Sequence, residues 1–290
     1  TLVQYERRYK QFEKLPQPTI ARVDLRVELH PEQRTADITG TYLLDNRTAK
    51  PIDSVHVTID KSVEARTLTF DRPATRVRQD EAVGYHIFRL AKPLQPRETA
   101  RMRFGVRSAP RGFSNDKPTG EVVANGTHFQ RKWMPILGYQ PERELLDKRA
   151  RNENGLPEKD RLPALDDPEG RRISSHLRDA EWFHLSTVIG TSASQTAIAP
   201  GSLRRQWKEN GRNYFHYESD APIRNNYPIL SAAYAVRRDS WNGIPVEVYY
   251  HPTHTYNVDR IMTGAKAALQ YHSENFAPYQ HEQLRIVEFP

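Results

Sequence analysis

Cysteine is missing from all 290 residues. That absence excludes a disulfide scaffold, a thiolate zinc site and a cysteine nucleophile. It leaves the compartment open, since an exported protein can lack the residue as readily as a cytosolic one. Long apolar runs are missing too. No stretch approaches the ~20 residues that span a bilayer, and no signal peptide opens the chain, so the piece reads as soluble. Apolar residues are scarce at 37%. Exchanging the 14 Tyr for the 14 Gly, to match the usual apolar set, leaves that share unchanged against a typical ~45–50%. Aromatic residues, at 10%, nevertheless argue against disorder.

Charge of one sign is not concentrated anywhere. The chain carries 43 Lys and Arg against 36 Asp and Glu, a net +7. The signs are interspersed, as in Glu142-Arg143-Glu144 and Arg151-Asn152-Glu153. No Lys/Arg-rich block and no RNA-recognition or zinc-finger motif is present. A solvated mixed-charge surface is the plainer reading, and nucleic acid is not expected as a partner.

What is present is a change of period along the chain. Tyr5, Tyr9 and Phe12 stand at the i, i+4, i+7 spacing of a helical stripe until Pro16 and Pro18 stop it. The stripe is either an amphipathic contact with a partner or, more plainly, a short lead-in helix capping a domain or trailing from a linker. From Ile20 the period becomes two. Val23, Leu25, Val27 and Leu29 alternate with Arg22, Asp24, Arg26 and Glu28, as in a half-buried antiparallel strand. Residues 30–33 turn the chain, 36–44 return it as a hairpin partner, and 45–47 turn it again. Strands are expected over 52–59, 67–70, 85–90 and 100–106, with a turn at 92–96. Segments 23–29, 38–44, 85–90 and 102–106 are expected to share one antiparallel sheet. Residues 141–180 are dense in charge, Pro and Gly, and read as an irregular excursion at the edge of the β domain, whose charges stay out of the core. β signals resume over 182–190, 196–199, 204–207, 213–217, 232–236 and 244–250, with a turn at Glu209-Asn210-Gly211. A helix over 258–275 follows, with Ile261, Ala265, Ala268, Leu269 and His272 on one face, then a strand over 284–289. The expected organisation is a lead-in over 1–17, a β domain over 18–238 and the start of a second domain over 239–290.

Two stretches together resemble the M1 family of zinc aminopeptidases. One is the opening hairpin, residues 23–29 through 38–42. The other runs from Glu218-Ser219-Asp220-Ala221-Pro222 through Tyr234, Val246-Glu247-Val248-Tyr249-Tyr250 and the helix to Tyr271 and Phe276-Ala277-Pro278-Tyr279, ahead of Leu284-Arg285-Ile286-Val287-Glu288. The resemblance implies a mainly β fold: an antiparallel β-sandwich or saddle of the M1 N-terminal type, followed by a short α/β start of a thermolysin-like domain. A sub-group is more similar still, the extracytoplasmic M1-like domain fused to bacterial ABC-2 type transporter permeases. Tyr9-Lys10 through Leu15-Pro16-Gln17-Pro18 resembles the segment joining membrane helices to that domain. Trp133-Met134-Pro135-Ile136-Leu137-Gly138-Tyr139 with Glu144-Leu145-Leu146-Asp147 resembles its Pro-x-x-Gly-Tyr loop. The partners this implies are the downstream catalytic domain of the same polypeptide, a peptide substrate and an ABC transporter permease or ATPase, on the periplasmic side of the inner membrane.

The chemistry of that family requires two helical histidines at i and i+4, a downstream carboxylate ligand, and a glutamate acting on zinc-bound water. His281-Glu282-Gln283-Leu284-Arg285 has the start of such a motif, with Arg285, a cation, where the second histidine would stand. It also follows Pro278 and runs into a strand, so it reads as a decoy. His251-Pro252-Thr253-His254 reads as a surface turn. The family's amine-anchoring Gly-x-Met-Glu-Asn motif does not occur. No catalytic and no metal-binding residue is therefore expected within this chain, and no cofactor, zinc being expected of the full-length parent. No Gly-x-Ser-x-Gly elbow and no phosphate-cradling loop is visible either. One family feature is carried over: a Gln or Glu on an N-terminal-domain loop that lines the substrate entrance, for which Gln130 in Phe129-Gln130-Arg131-Lys132-Trp133 is the match. The alternative is an exposed Gln beside a core Trp. Asn125-Gly126-Thr127 reads as a turn. A competing reading of the whole chain is a non-catalytic β-sandwich module that binds a peptide or a partner protein.

Overall fold

The computed structural model describes residues 2–110, 121–159, 164, 166–168, 170–172 and 182–289. Helix α1 (Leu2–Tyr9) runs into a 3-10 turn at Lys10–Phe12. Strands β1 (Thr19–His30), β2 (Thr35–Asp45), β3 (Ile52–Thr58) and β4 (Glu64–Phe70) follow. Next come β5 (Ala74–Asp80), β6 (Tyr85–Leu94), β7 (Thr99–Ser108), β8 (Val122–Val123), β9 (Gly126–Gln130) and β10 (Ile136–Leu137). After helix α2 (Lys148–Glu153) stand β11 (Trp182–Ser192), β12 (Thr196–Ile198), β13 (Ser202–Glu209), β14 (Arg212–Glu218), β15 (Ile223–Arg224) and β16 (Pro228–Ala232). The chain closes with β17 (Ala235–Trp241), β18 (Ile244–Tyr250), helix α3 (Val258–Asn275) and β19 (Leu284–Val287).

The fold is mainly β and built from several sheets. The large one runs β13-β14-β11-β1-β2-β7-β4, with β15 added beside β11. A second runs β10-β3-β6-β5, a third β12-β16-β9-β8, and a fourth β17-β18-β19. Val23, Leu25, Val27 and Leu29 all face inward, none more than 5% exposed. Alternate side chains of a strand point to opposite faces, so one register buries this whole set together. Phe104 from β7, Val57 and Phe88 from the second sheet, and Phe129 and Ile229 from the third join them in one continuous core. The expected turn between β13 and β14 is present, with Asn210 and Gly211 at φ 49° and 72°. Both central residues of such a two-residue hairpin turn need positive φ, which Asn tolerates and Gly adopts freely.

Several expectations are corrected. Tyr85 and Phe88 do not share a sheet with β1, β2 and β7; β6 pairs with β3 and β5 in the second sheet. Period alone gives the face of a strand and not its neighbour. The segment read as a turn at 92–96 instead continues β6 to Leu94, paired with Ile52 across a bulge. β5 was not expected, because five of its seven residues are exposed on a sheet edge with no apolar alternation. β1 pairs with β2 antiparallel and with β11 parallel. The single strand expected over 232–236 is divided at Ala233-Tyr234, where the chain leaves the third sheet for the fourth. Arg238 lies inside β17, opposite Glu247.

α3 has the expected span, but its buried positions are Val258, Met262 and Leu269. Ile261 stays 39% exposed. The face is rotated by about one position, since Met262 packs with Val246 and Val248 of β18. In the excursion, α2 is capped by the Asp147 carboxylate, which accepts from the Ala150 N–H at 2.8 Å. Arg151, expected outside the core, is 3% exposed because Glu6 of α1 neutralises it. Glu153 is exposed, as expected. Arg161 lies outside the described residues.

Candidate functional site

Gln130 ends β9, which is held against β16 by the pairs Leu230 with His128 and Pro228 with Gln130. Residues two apart on a strand share a face, so Gln130 projects to the same side as His128. The His128 ring lies 4.5 Å from the ring of Phe289, just past β19. The structure therefore places His128, two residues before Gln130 on the same strand face, beside the residue just past β19. Gln130 itself is exposed, and Trp133 behind it is 2% exposed and stacked on Phe129 at 4.3 Å.

The segment just before Phe289 is organised by Glu288. Its N–H donates to the Tyr249 carbonyl at 2.8 Å, and its own carbonyl accepts from the Tyr234 hydroxyl at 3.0 Å. One carboxylate oxygen accepts from the His251 N–H at 2.5 Å, and the other meets His254 Nδ1 at 2.5 Å. The His251 N–H and the His254 ring hold the Glu288 carboxyl below the ordinary carboxylate range. Burial lowers the pKa of His128, which favours the neutral ring. Burial, reinforced by neighbouring Glu288 and Glu247 respectively, raises the phenols of Tyr234 and Tyr249, which stay protonated. These residues offer a fixed anion, neutral hydrogen-bonding groups and one exposed amide. They include no activated nucleophile.

Among the described residues, no three His, Asp or Glu side chains are grouped so as to hold a metal ion. The His281-Glu282 motif fits zinc no better in three dimensions. Glu282 and Gln283 lie outside any helix, and the His281 ring packs on Tyr279 at 5.4 Å. Arg285 is a structural tie. Its guanidinium donates to the Ala199 carbonyl at 3.2 Å and to the Gly201 carbonyl, and lies 5.0 Å over the Tyr217 ring. His251 and His254 sit in an exposed turn, as expected. Elsewhere, Ser186 Oγ is 2.9 Å from His216 Nε2. Glu218 approaches that same nitrogen at 3.6 Å, so it does not orient the ring from its other side as the third member of a nucleophilic triad would.

A cleft of about 370 Å³ lies nearby between the third and fourth sheets, bordered by Pro200, Asp220, Pro222, Tyr279, His281 and Leu284. Gln130 does not line it. Two polar side chains of the cleft already have partners: Asp220 takes Arg204 and Ser202, and the Tyr279 hydroxyl donates to the Gln283 carbonyl. The cleft is the seam between two packed units. Sequence reasoning missed Glu288, Tyr234 and His128. They come from three separate segments, so no local spacing announces them.

No protein-family model and no curated relative matches the sequence. The fold is that of M1 zinc metallopeptidases, entered from the N-terminal β side. A point mutant of the M1 zinc metallopeptidase from Deinococcus radiodurans superposes with a TM-score of 0.66 at 14% identity, over 96% of this chain and 58% of that one. The unmutated enzyme superposes at 0.62 and 14% identity, over 94% and 57%. The mutant bound to a Tyr-Ser-Ala substrate gives 0.61 and 15%, over 96% and 58%. The chain thus spans less than two thirds of the length of these neighbours.

Proposed function

We propose that this chain is the N-terminal, non-catalytic portion of an M1-like zinc metallopeptidase. It would form the β domain and the start of the thermolysin-like domain, and shape the substrate entrance with Gln130. The observation that carries the reading is coverage: 96% of this chain superposes on 58% of a two-domain M1 enzyme. In this reading zinc and the amine-anchoring residues belong to the parent polypeptide beyond β19. The partners are then the downstream catalytic domain and a peptide whose amino end passes Gln130. Attachment to an ABC transporter permease, outside the cytoplasm, completes the proposal. It is supported by the sequence resemblance of residues 9–18 and 133–147. None of the helices is long and apolar enough to cross a membrane among the described residues.

The test is metal analysis of the purified chain beside an aminoacyl-anilide assay with added zinc, run in parallel on the parent polypeptide. The chain alone is expected to hold no stoichiometric zinc and to show no turnover, because catalysis at zinc needs about three protein ligands around an open position. The parent is expected to turn over, and Gln130→Ala in the parent to raise KM. Stoichiometric zinc in the chain alone, with turnover lost in Glu282→Gln, would sink the proposal.

A further inference from the structure

Helix α1 is docked by charges that interlock in both directions. Glu6 on α1 receives both arms of Arg151 on α2, at 2.7 and 2.9 Å. Lys10, in the turn after α1, reaches back to Glu144 at 2.7 Å. Each side thus contributes one anion and one cation. The Glu6 and Arg151 side chains are 5% and 3% exposed, and that of Glu144 is 0% exposed. The remaining valences are filled. Arg151 also donates to the carbonyls of Leu145 and Pro157, and Glu144 accepts from the Tyr139 hydroxyl at 2.8 Å and from Lys159 at 2.5 Å. Aromatic rings form the bed: Tyr5 stacks on Tyr139 at 4.9 Å, and Tyr9 on Tyr85 of β6 at 4.0 Å. The Tyr5 hydroxyl accepts from the Gln140 N–H at 2.7 Å, and the Tyr9 hydroxyl donates to Asp80 at 2.6 Å.

Such an arrangement specifies one register. A slip of α1 by four residues would set Leu2 or Lys10 opposite Arg151, an apolar group or a like charge. A buried cation without its anion is strongly unfavourable, whereas the intact pair adds little net stability. The interlocked pairs therefore select position more than they add adhesion.

We infer that α1 and the turn after it form a charge-keyed clasp with residues 139–159, a rigid coupling that fixes the direction of the N-terminal helix relative to the β domain. In one respect the inference rests on the proposed attachment to a permease. Where that holds, a displacement applied at α1 would reach the β sheets instead of being absorbed by a flexible linker.

Amide exchange on the purified chain tests the clasp. Residues 6–9 are expected to exchange about 100-fold or more slowly than in an unstructured peptide. Glu6→Gln is expected to accelerate them about 10-fold or more while β1 and β2 stay protected, since Arg151 loses its counter-charge. A second measurement does not depend on that variant folding. The chain has no cysteine, so Gln4→Cys on α1 and Arg89→Cys on β6 can be spin-labelled cleanly, and one narrow distance distribution is expected. Unstructured-chain exchange at residues 6–9, or a broad distribution, would overturn the clasp. Both readouts use this chain alone, so failure of the permease reading, seen as the parent's absence from membranes, is a separate result.

Discussion

A single buried histidine shows how far one residue can set the response to pH. His56 is 2% exposed, with Nδ1 2.9 Å from the Tyr85 hydroxyl and the ring edge-on to Phe12 at 4.8 Å. Burial lowers its pKa from 6.5 to about 4. A base whose pKa falls on folding binds more protons when unfolded. Its contribution is therefore fully present above pH 6.5 and is lost as pH falls through about 4. The loss amounts to on the order of 3 kcal/mol at the low end. His56→Gln is expected to lower stability at neutral pH but to flatten this decline, as read from urea midpoints across that window. An unchanged slope would remove His56 as its source. Gln130 illustrates the opposite limit. Its role depends on what lies beside it, and a neutral amide carries no signature of its own in the sequence.

At the scale of elements, the decisive quantity is which face each one buries. α3 was legible as a helix to the residue, because its ends and its 3.6-residue period are local properties. The choice between Ile261 and Met262 was not, since the apolar stripe is broad enough to be turned by about one position. That difference is measurable. Leu269→Ala, at a site 6% exposed and packed with Val246, Val248 and Met262, is expected to cost about 2–5 kcal/mol. Ile261→Ala, at a site 39% exposed, is expected to stay within about 0.5 kcal/mol. Urea unfolding compares them directly, and equal costs would contradict the packing. The edge strands carry a related lesson. β13, β4 and β5 each contain a bulge, at Arg204, Arg66 and Val77. A kinked, charged edge resists pairing with another chain; in β5 the same charge is why the segment carried no apolar pattern to announce it.

At the scale of the whole molecule, burial is divided unevenly. The first three sheets share one continuous core, whereas α3 and the fourth sheet enclose a smaller cluster of Val246, Val248, Val258, Met262 and Leu269. The two are joined by the Arg285 tie, the Tyr234–Glu288 bond and the contact of Tyr249 with Ile198 and Leu230. A smaller core opens at lower free energy. Amides of β17, β18 and α3 are therefore expected to exchange before those of β1, β2 and β7. Leu269→Ala should widen the gap by accelerating the first group alone. Simultaneous exchange of both groups in that variant would show a single cooperative unit.

What the sequence determined by itself is local. Alternation in Val23, Leu25, Val27 and Leu29 determined a strand and its buried face, the Asn210-Gly211 pair its turn, and the spacing of Tyr5, Tyr9 and Phe12 a helix. Each follows from backbone geometry within a few residues. The absence of cysteine and of a paired histidine motif was equally plain from the sequence. Only the tertiary structure decided which strands are neighbours, because strand pairing is settled by long-range packing to which the period is blind. It placed β6 in the second sheet and β1 beside a parallel β11. It buried Arg151, which the charge density of residues 141–180 had assigned to solvent, because a counter-charge 145 residues away, Glu6, was waiting in the docked helix. And it brought His128 against Phe289, and Tyr234 onto the Glu288 carbonyl, contacts between residues that lie far apart in sequence.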